Sequence, residues 1–410
     1  MRQPCWRSLR EAETGWTAGS TGSFVRPQAA DDPVQHNMKS PMAEASTWLE
    51  RIRDLRLSEP VRVLNVCGGH ERSIGMAGLR DVLPDSIELI PGPGCPVCVC
   101  PEEDILAAIQ LAVTDGVILV AFGDMLRVPA NVARGELRSL AEAHATGADV
   151  RPIASPQEAV AVALENPARQ VVFFVAGFET TAAPVAAMIE EGLPDNLSFL
   201  LAVRRTWPAV ALLLDSEEPG FEGLIAPGHV ATVMGAEEWR FVVEKHDMPT
   251  AVAGFTAASI LAALYSVLRQ VTGTRHFLDN CYPEFVRPHG NLRAQACLDQ
   301  QFNDIDGEWR GIGTIAGSGF GLKPRLASHD ARLLFPNRLA EVKRRVGAMP
   351  PGCDCARVVM GRVAPLDCRL YGRACTPRTP VGPCMVSDEG ACHIWWNNGR
   401  RSGESHAIGP

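Results

Sequence analysis

From Pro60 onward, short apolar runs alternate with segments of helical periodicity, and this alternation is the strongest constraint on the fold. The predicted strands are Arg62–Val66, Ser86–Ile90, Val117–Ala121, Val171–Ala176, Ser198–Val203 and Ala251–Phe255. Several are continuously apolar, which is typical of parallel strands covered by helices on both faces. The helix after Phe255 carries one apolar stripe, formed by Ile260, Leu264, Val267 and Leu268. The sequence therefore predicts an α/β fold with parallel sheets.

The alternation continues long enough for two similar α/β domains. A weak internal echo supports two units, because LVAFGDMLRVP and FFVAGFETTAAP both pass from a buried strand into a Gly-containing turn. We expect residues 45–149 and 150–279 to form these domains. Residues 1–44 lack apolar periodicity and are expected to be a disordered extension. Residues 280–410 are rich in Gly, Pro and Cys, which predicts a C-terminal Cys-rich domain organised by metal.

Composition excludes several classes of protein. The 410 residues carry a formal net charge of -8, whereas nucleic-acid binding normally requires a basic face. No run of 18 apolar residues and no secretory signal occurs, so a cytoplasmic protein without a membrane partner is expected. No dinucleotide-binding, P-loop, zincin or serine-hydrolase motif stands in the required context.

Cysteines carry the clearest chemical signal. The chain has 13 of them, a number that in a reducing compartment indicates metal or redox chemistry. Four in the tail have the spacing C-x14-C-x6-C-x16-C, namely Cys353, Cys368, Cys375 and Cys392. Four thiolates from separate loops suit an iron–sulfur cluster, although tetrahedral zinc accepts the same ligands and disulfides or free thiols are further alternatives. Cys355 and Cys384 lie in the same segment, so the choice of four ligands stays open.

Two further thiol motifs follow predicted strands. Cys95 and Cys98 form a CxxC within GPGCPVC, which is typical of a redox-active dithiol and also of half a zinc site. Cys67 begins CGGH directly after the first strand, where α/β domains place their sites. His70 could orient a ligand or transfer a proton there. A buried, unreactive Cys67 is the alternative.

The segment GFETT follows the strand Val171–Ala176 and supplies Glu179 and Thr180. These polar side chains could cap a helix and do nothing more, or they could line a site.

Together these strings resemble the HypD family of hydrogenase maturation factors. The resemblance rests on CGGH, GPGCPVCVCP, FGDMLRVP, AGFETT, APGHV, WRGIGTIAGSG and the tail from GCDC to EGAC, in this order. It covers about Val63 to Cys392. It implies two α/β domains and a third domain that binds a [4Fe-4S] cluster. It also implies partnership with a HypC-type chaperone and a HypE-type cyanide donor, during assembly of the Fe(CN)2(CO) group of [NiFe]-hydrogenase.

The resemblance also implies residue roles. Cys67 would hold the iron of Fe(CN)2(CO), with His70 beside it, and Cys95 and Cys98 would form a redox pair near the cluster. The implied cluster ligands are Cys353, Cys368, Cys375 and Cys392. Glu179 and Thr180 would line the cleft between the α/β domains. Such a protein is an assembly scaffold with redox activity rather than a turnover enzyme.

The sequence departs from the family pattern at several positions. Glu71 and Arg72 stand where a second His usually follows CGGH, Pro91 replaces a usual His, and Cys100 replaces a usual Thr. These changes leave the thiol framework intact. Two other functions remain as alternatives, a stand-alone cluster-containing thiol–disulfide reductase and a structural zinc protein.

Overall fold

The computed structural model of the chain describes residues 41–340 and 349–400. Its strands are β1 (Val61–Cys67), β2 (Ile87–Gly94), β3 (Val117–Phe122), β4 (Val150–Ile153), β5 (Gln170–Gly177), β6 (Leu197–Val203), β7 (Gly223–Pro227), β8 (Thr250–Ala253), β9 (Leu278–Asn280), β10 (Phe302–Trp309) and β11 (Gly313–Leu322). Its α-helices are α1 (Pro41–Arg53), α2 (Gly68–Met76), α3 (Leu79–Val82), α4 (Pro96–Val99), α5 (Glu102–Ala112), α6 (Leu140–Ala145), α7 (Pro156–Glu165), α8 (Glu179–Glu191), α9 (Thr206–Leu214), α10 (Gly228–Met234), α11 (Arg240–His246), α12 (Ala257–Val271), α13 (Leu292–Gln301), α14 (Ala331–Leu334), α15 (Pro336–Leu339), α16 (Cys355–Val359) and α17 (Ala391–Asn397). Short 3-10 helices cover Gly123–Arg127, Ala236–Trp239, Pro324–His329, Pro365–Asp367 and Pro383–Met385.

Two parallel sheets form the centre of the protein, as the α/β prediction requires. The first sheet has five strands in the order β2-β1-β7-β8-β9, and the second has four in the order β4-β3-β5-β6. Strands β10 and β11 form a separate antiparallel hairpin. The region that follows is rich in cysteine and consists of short elements. Its α-helices after residue 349 are α16 and α17.

The two sheets are interleaved along the chain. Strand β3 precedes residue 149 yet pairs with β4 and β5, whereas β7 and β8 follow residue 150 yet belong to the sheet of β1. The predicted boundary between 45–149 and 150–279 therefore does not separate the sheets. At the N-terminal end, α1 begins at Pro41, within the predicted extension 1–44, whose residues 1–40 lie outside the described part.

Successive side chains of the central strands are buried in cores on opposite faces of the sheet. In β1, Val63 packs with α1 and α12 on one face, and Leu64 packs with α9 and α11 on the other. The predicted stripe of α12 is confirmed, because all four of its residues are fully buried. In β5, Phe173 packs with α7 and α8, whereas Phe174 belongs to a second core that also contains α5 and the tail cysteines. One face of the second sheet and the tail thus belong to the same core.

All six predicted strands are present, but several elements were not predicted. Strand β4 contains Pro152, which is tolerated because β4 is an edge strand. Strands β7 and β9 are only five and three residues long. Among the described residues, no helix is long and apolar enough to cross a membrane.

Candidate functional site

The strand order brings two loops together at the carboxyl edge of the first sheet. The chain turns from β1 toward β2 and from β7 toward β8, in opposite directions across the sheet. Ligands in parallel α/β sheets bind where the order reverses in this way. Cys67 is the last residue of β1, and His229 is the second residue of the helix after β7. The topology therefore brings these two side chains to the same crevice.

The first cavity, which we call the thiol cavity, joins Cys67 to the CxxC pair. It has a volume of only about 10 Å³ and is lined by Asn65, Cys67, Gly68, Glu71, Pro91, Gly92, Cys95, Cys98, Val359, Glu389 and Ala391. Val359 ends α16, which begins at Cys355, and Ala391 adjoins Cys392. The cavity is therefore bounded by strand-end, dithiol and tail elements together.

The second cavity, which we call the cleft, joins Cys67 to the second sheet. It has a volume of about 120 Å³ and is lined by Cys67, Gly94, Pro96, Phe178, Thr180, Thr181, Thr206, Pro227, His229, Val230 and Glu389. The threonines follow β5 and β6, and His229 follows β7, so both sheets contribute their carboxyl ends. Cys67 and Glu389 line both cavities. Cys67 consequently lies where the cleft meets the dithiol.

The Cys67 thiol stays protonated in the absence of a cation. Burial, reinforced by the nearby Glu389 carboxylate, raises its pKa to about 12, although backbone N–H groups of His70 and Gly69 act in the opposite direction. A bound metal cation would invert this balance by stabilising the thiolate. The position therefore favours a thiol that ionises together with metal binding.

His70 does not line either cavity. Its ring is fully buried, its Nε2–H donates to the Ala253 carbonyl at 3.0 Å, and Nδ1 lies 3.2 Å from Asn65 Oδ1. Burial lowers the pKa of His70 to about 3. The imidazole thus stays neutral and connects β1 to β8 behind Cys67.

Glu179 and Thr180 separate in the structure. Thr180 lines the cleft, whereas the fully buried Glu179 carboxylate accepts hydrogen bonds from the Thr206 N–H and hydroxyl, both at 2.7 Å. Thr206 begins α9, so Glu179 satisfies a backbone donor that this helix end leaves free. Burial raises the pKa of Glu179. In the structure, Glu179 therefore contacts α9 at Thr206, a residue that lines the cleft.

Replacing Glu179 with alanine is expected to lower the free energy of unfolding by about 1–3 kcal/mol, because two buried Thr206 donors lose their acceptor. Urea titration of both proteins measures the difference. Glu191→Ala, an exposed glutamate on the same helix, is the matched control and is expected to change stability little. Equal stability of Glu179→Ala and the control would contradict this role.

Cys95 and Cys98 are joined by a disulfide bond. The pair begins α4 directly after β2, and Cys95 Sγ accepts a hydrogen bond from the Cys98 N–H at 3.2 Å. Gly94 permits this approach, since an added Cβ would lie 1.6 Å from the Val66 carbonyl oxygen. The dithiol is therefore held against the end of β1, next to Cys67.

The six tail cysteines gather in one buried region. The Cys355 thiol is a neighbour of Cys353, and the Cys355 and Cys392 thiols are neighbours of Cys384. The neighbouring thiols of Cys355 and Cys384 lower the pKa of Cys392 to about 6, and those of Cys355 and Cys392 raise the pKa of Cys384. Gly382 lies so close that an added Cβ would meet the sulfurs of Cys353 and Cys355 at 2.5 Å.

The tail and the dithiol share one apolar core. That core contains Cys95, Cys98, Cys355, Cys368, Cys375, Cys384 and Cys392, with Cys353 packed against it. Within 41–340 and 349–400, no group of three or more His, Cys, Asp or Glu side chains is arranged to hold a metal ion as it stands. A buried set of thiols nevertheless has the ligand chemistry that iron–sulfur clusters use, and zinc accepts it too.

The structure adds two residues to the site, Glu389 and His229. Burial, with Asp124 as a nearby like charge, raises the pKa of Glu389 to about 7. His229 stacks on Phe255 with ring centroids 3.6 Å apart, and burial lowers its pKa. The one available signal for Glu389 was its place in EGAC, three residues before a predicted ligand.

Comparison with known proteins gives a consistent result. A family model described as HypD, hydrogenase formation hypA family, matches residues 43–399. The hydrogenase maturation factor HypD2 of Bradyrhizobium diazoefficiens is 39% identical over 352 residues, covering 83% of this chain and 90% of that protein. A putative hydrogenase expression/formation protein of Methanocaldococcus jannaschii is 38% identical over 340 residues, covering 82% and 92%. The Escherichia coli hydrogenase maturation factor HypD is 36% identical over 353 residues, covering 84% and 91%.

Proposed function

This chain belongs to the HypD family of hydrogenase maturation factors, and from that premise we propose that it is the scaffold on which the Fe(CN)2(CO) group is assembled. The observation that carries the proposal is the position of Cys67, which lines both the thiol cavity and the cleft. The iron is cargo, held by the Cys67 thiolate during assembly. A soft thiolate is a suitable ligand for such iron.

The residues of the cleft would receive the cargo. Thr180 and His229 offer hydrogen-bonding groups from the two sheets, and Glu389 offers a carboxyl group beside Cys67. With its pKa raised to about 7, Glu389 can hold or release a proton near neutral pH. Glu179 keeps Thr206 in place at the wall of the same cleft.

The Cys95–Cys98 pair would exchange electrons with the site. Reduction of its disulfide takes up two electrons and two protons and yields two thiols, and oxidation returns them. A [4Fe-4S] cluster bound by Cys353, Cys368, Cys375 and Cys392, in the Cys-rich region after residue 280, supplies electrons when present. The common buried core of the dithiol and the tail supports this assignment.

Two partners complete the proposal. A HypC-type chaperone would share the iron with Cys67, and a HypE-type protein would provide cyanide. The open side of the cleft, where Cys67 and Thr180 lie, is the surface that we propose these partners approach.

Infrared spectroscopy of the protein co-expressed and purified anaerobically with its HypC-type partner tests the function. We expect CO and cyanide stretching bands on the complex, together with iron and acid-labile sulfide in the protein. Iron without these bands, combined with disulfide reductase activity, would instead indicate a stand-alone reductase. Stoichiometric zinc without iron would indicate a structural zinc protein.

A further inference from the structure

Glu71 is a buried carboxylate whose two oxygens are both occupied. It is 2% exposed and lines the thiol cavity. Its Oε1 accepts a hydrogen bond from the Trp395 indole N–H at 2.8 Å, and its Oε2 accepts one from Arg80 at 2.8 Å. A buried ion pair is tolerated only when its polar atoms find partners in this way. Glu71 therefore holds three parts of the chain at one point.

The first of these parts is the end of β1. The Asn65 side chain donates to Glu71 Oε2 at 3.4 Å and to the Cys67 carbonyl at 3.1 Å. It also accepts a hydrogen bond from the Cys67 N–H at 3.4 Å. The backbone of Cys67 is thus fixed by a side chain that Glu71 holds.

The second part is β2, which leads into the dithiol. The Arg80 guanidinium that pairs with Glu71 also donates to the Leu89 carbonyl, at 3.1 Å from Nε and 3.0 Å from Nη2. Leu89 belongs to β2, which ends at Gly94, directly before Cys95. The same carboxylate therefore connects the dithiol strand to the end of β1.

The third part is α17, the helix that carries Cys392 in its first turn. Trp395 lies one turn further along and contacts Arg80 and Arg400, whose guanidinium carbons lie 5.0 and 5.2 Å from its ring centroid. Because a helix turn is stiff, fixing Trp395 also fixes the position of Cys392.

We infer that Glu71 is a positioning residue that sets the places of Cys67, the Cys95–Cys98 pair and the Cys392 helix relative to one another around the thiol cavity. Its three contacts end on the three elements that carry these thiols. The importance of this geometry for maturation rests on the proposed function, but the positioning itself does not. Glu71 touches neither substrate nor cofactor in this role.

The test compares Glu71→Gln, Trp395→Phe and the double variant in the full chain. Glutamine keeps the shape but offers one acceptor oxygen to the three donors of Trp395, Arg80 and Asn65, and phenylalanine removes the indole donor and keeps an aromatic ring, although a smaller one. We expect Cys67 to react with iodoacetamide severalfold faster in either single variant, because the end of β1 is released. The double variant should react with iodoacetamide little faster than either single variant, since both changes disrupt the same contact between residues 71 and 395. Mass spectrometry of the Cys67 peptide at fixed pH and 25 °C gives the rate.

Glu88→Gln is the matched control, because Glu88 lies on β2 but pairs with Arg62 outside the cavity. A merely structural Glu71 would lower the unfolding temperature yet leave Cys67 alkylation at 25 °C unchanged, and that result would overturn the inference. If Glu71→Gln does not fold, Trp395→Phe alone decides by the same criterion.

Infrared spectra of the partner complex separate this inference from the proposed function. Bands in the wild type that shift or weaken severalfold in Glu71→Gln but not in Glu88→Gln support both. Wild-type bands that are unchanged in Glu71→Gln, with unchanged alkylation, refute the positioning role alone. A wild type without bands refutes the proposed function, while the alkylation rates still decide the role of Glu71.

Discussion

Replacing Cys67 with alanine is expected to abolish hydrogenase maturation while the iron and sulfide of the tail stay at the wild-type level. The loss follows because no other described thiol lines both the thiol cavity and the cleft. Changes to residues that merely support metal ligands already cost 10–100-fold, so loss of the ligand itself should reduce maturation by at least about 100-fold. Hydrogenase activity in cells that depend on this chain, with iron content of the purified variant, measures both effects.

Cys281→Ala is the control for this experiment. Cys281 is also a partly buried free cysteine that follows a strand of the first sheet, but it lines neither cavity. The Cys281→Ala variant should support hydrogenase maturation at the wild-type level. Neither variant should lose more than about 1 kcal/mol of stability, because a single sulfur at a partly exposed position is removed. Full maturation by Cys67→Ala would remove the basis of the proposed function.

Replacing Cys368 with alanine is expected to remove the cluster. Cys368 is 8% exposed and lies in the same core as the other tail cysteines. Loss of one of four thiolate ligands should reduce bound iron and the visible absorption of the cluster by about tenfold or more, within the range seen for disrupted metal sites. Because metal binding contributes to folding, the unfolding temperature should fall as well. Iron and sulfide analysis of anaerobically purified protein measures the loss.

Cys384→Ala is the matched variant, since Cys384 is buried in the same core but lies outside the proposed ligand set. It should keep its iron. Iron retained by Cys368→Ala and lost from Cys384→Ala would show that a different four of the six thiols bind the cluster. This outcome would change the ligand assignment without touching the role of Cys67.

The predicted strands were accurate because they are long, apolar and buried on both faces, as in β5. Strand β7 was missed because its five residues end in a proline and are no longer than many loop segments. The interleaving of the sheets was missed for a different reason. Periodicity identifies a strand but carries no information about its neighbour, and strands of the two different sheets, such as β5 and β7, are similarly apolar.

The sequence predicted best those site residues whose position follows from the order of strands and helices alone. Cys67 ends β1 and Cys95 directly follows β2, so their approach to a common edge could be inferred from the order of elements. Glu71 and Glu389 could not be assigned in this way, because their environment comes from segments about 320 residues away in sequence, as the 324-residue separation of Glu71 and Trp395 illustrates. Such long-range contacts depend on the completed fold.

Because the two sheets are interleaved along the chain, β1 is synthesised well before one of its neighbours in the sheet. Strand β1 acquires its neighbour β7 only after another 160 residues, as in the contact between Arg62 and Glu222. At typical ribosomal speeds this delay amounts to about 10–30 s. Strands β3 to β6 are synthesised within this interval. A nascent or prematurely terminated chain therefore exposes the cysteine of CGGH without its crevice, and under the proposed function only the finished polypeptide would bind iron there.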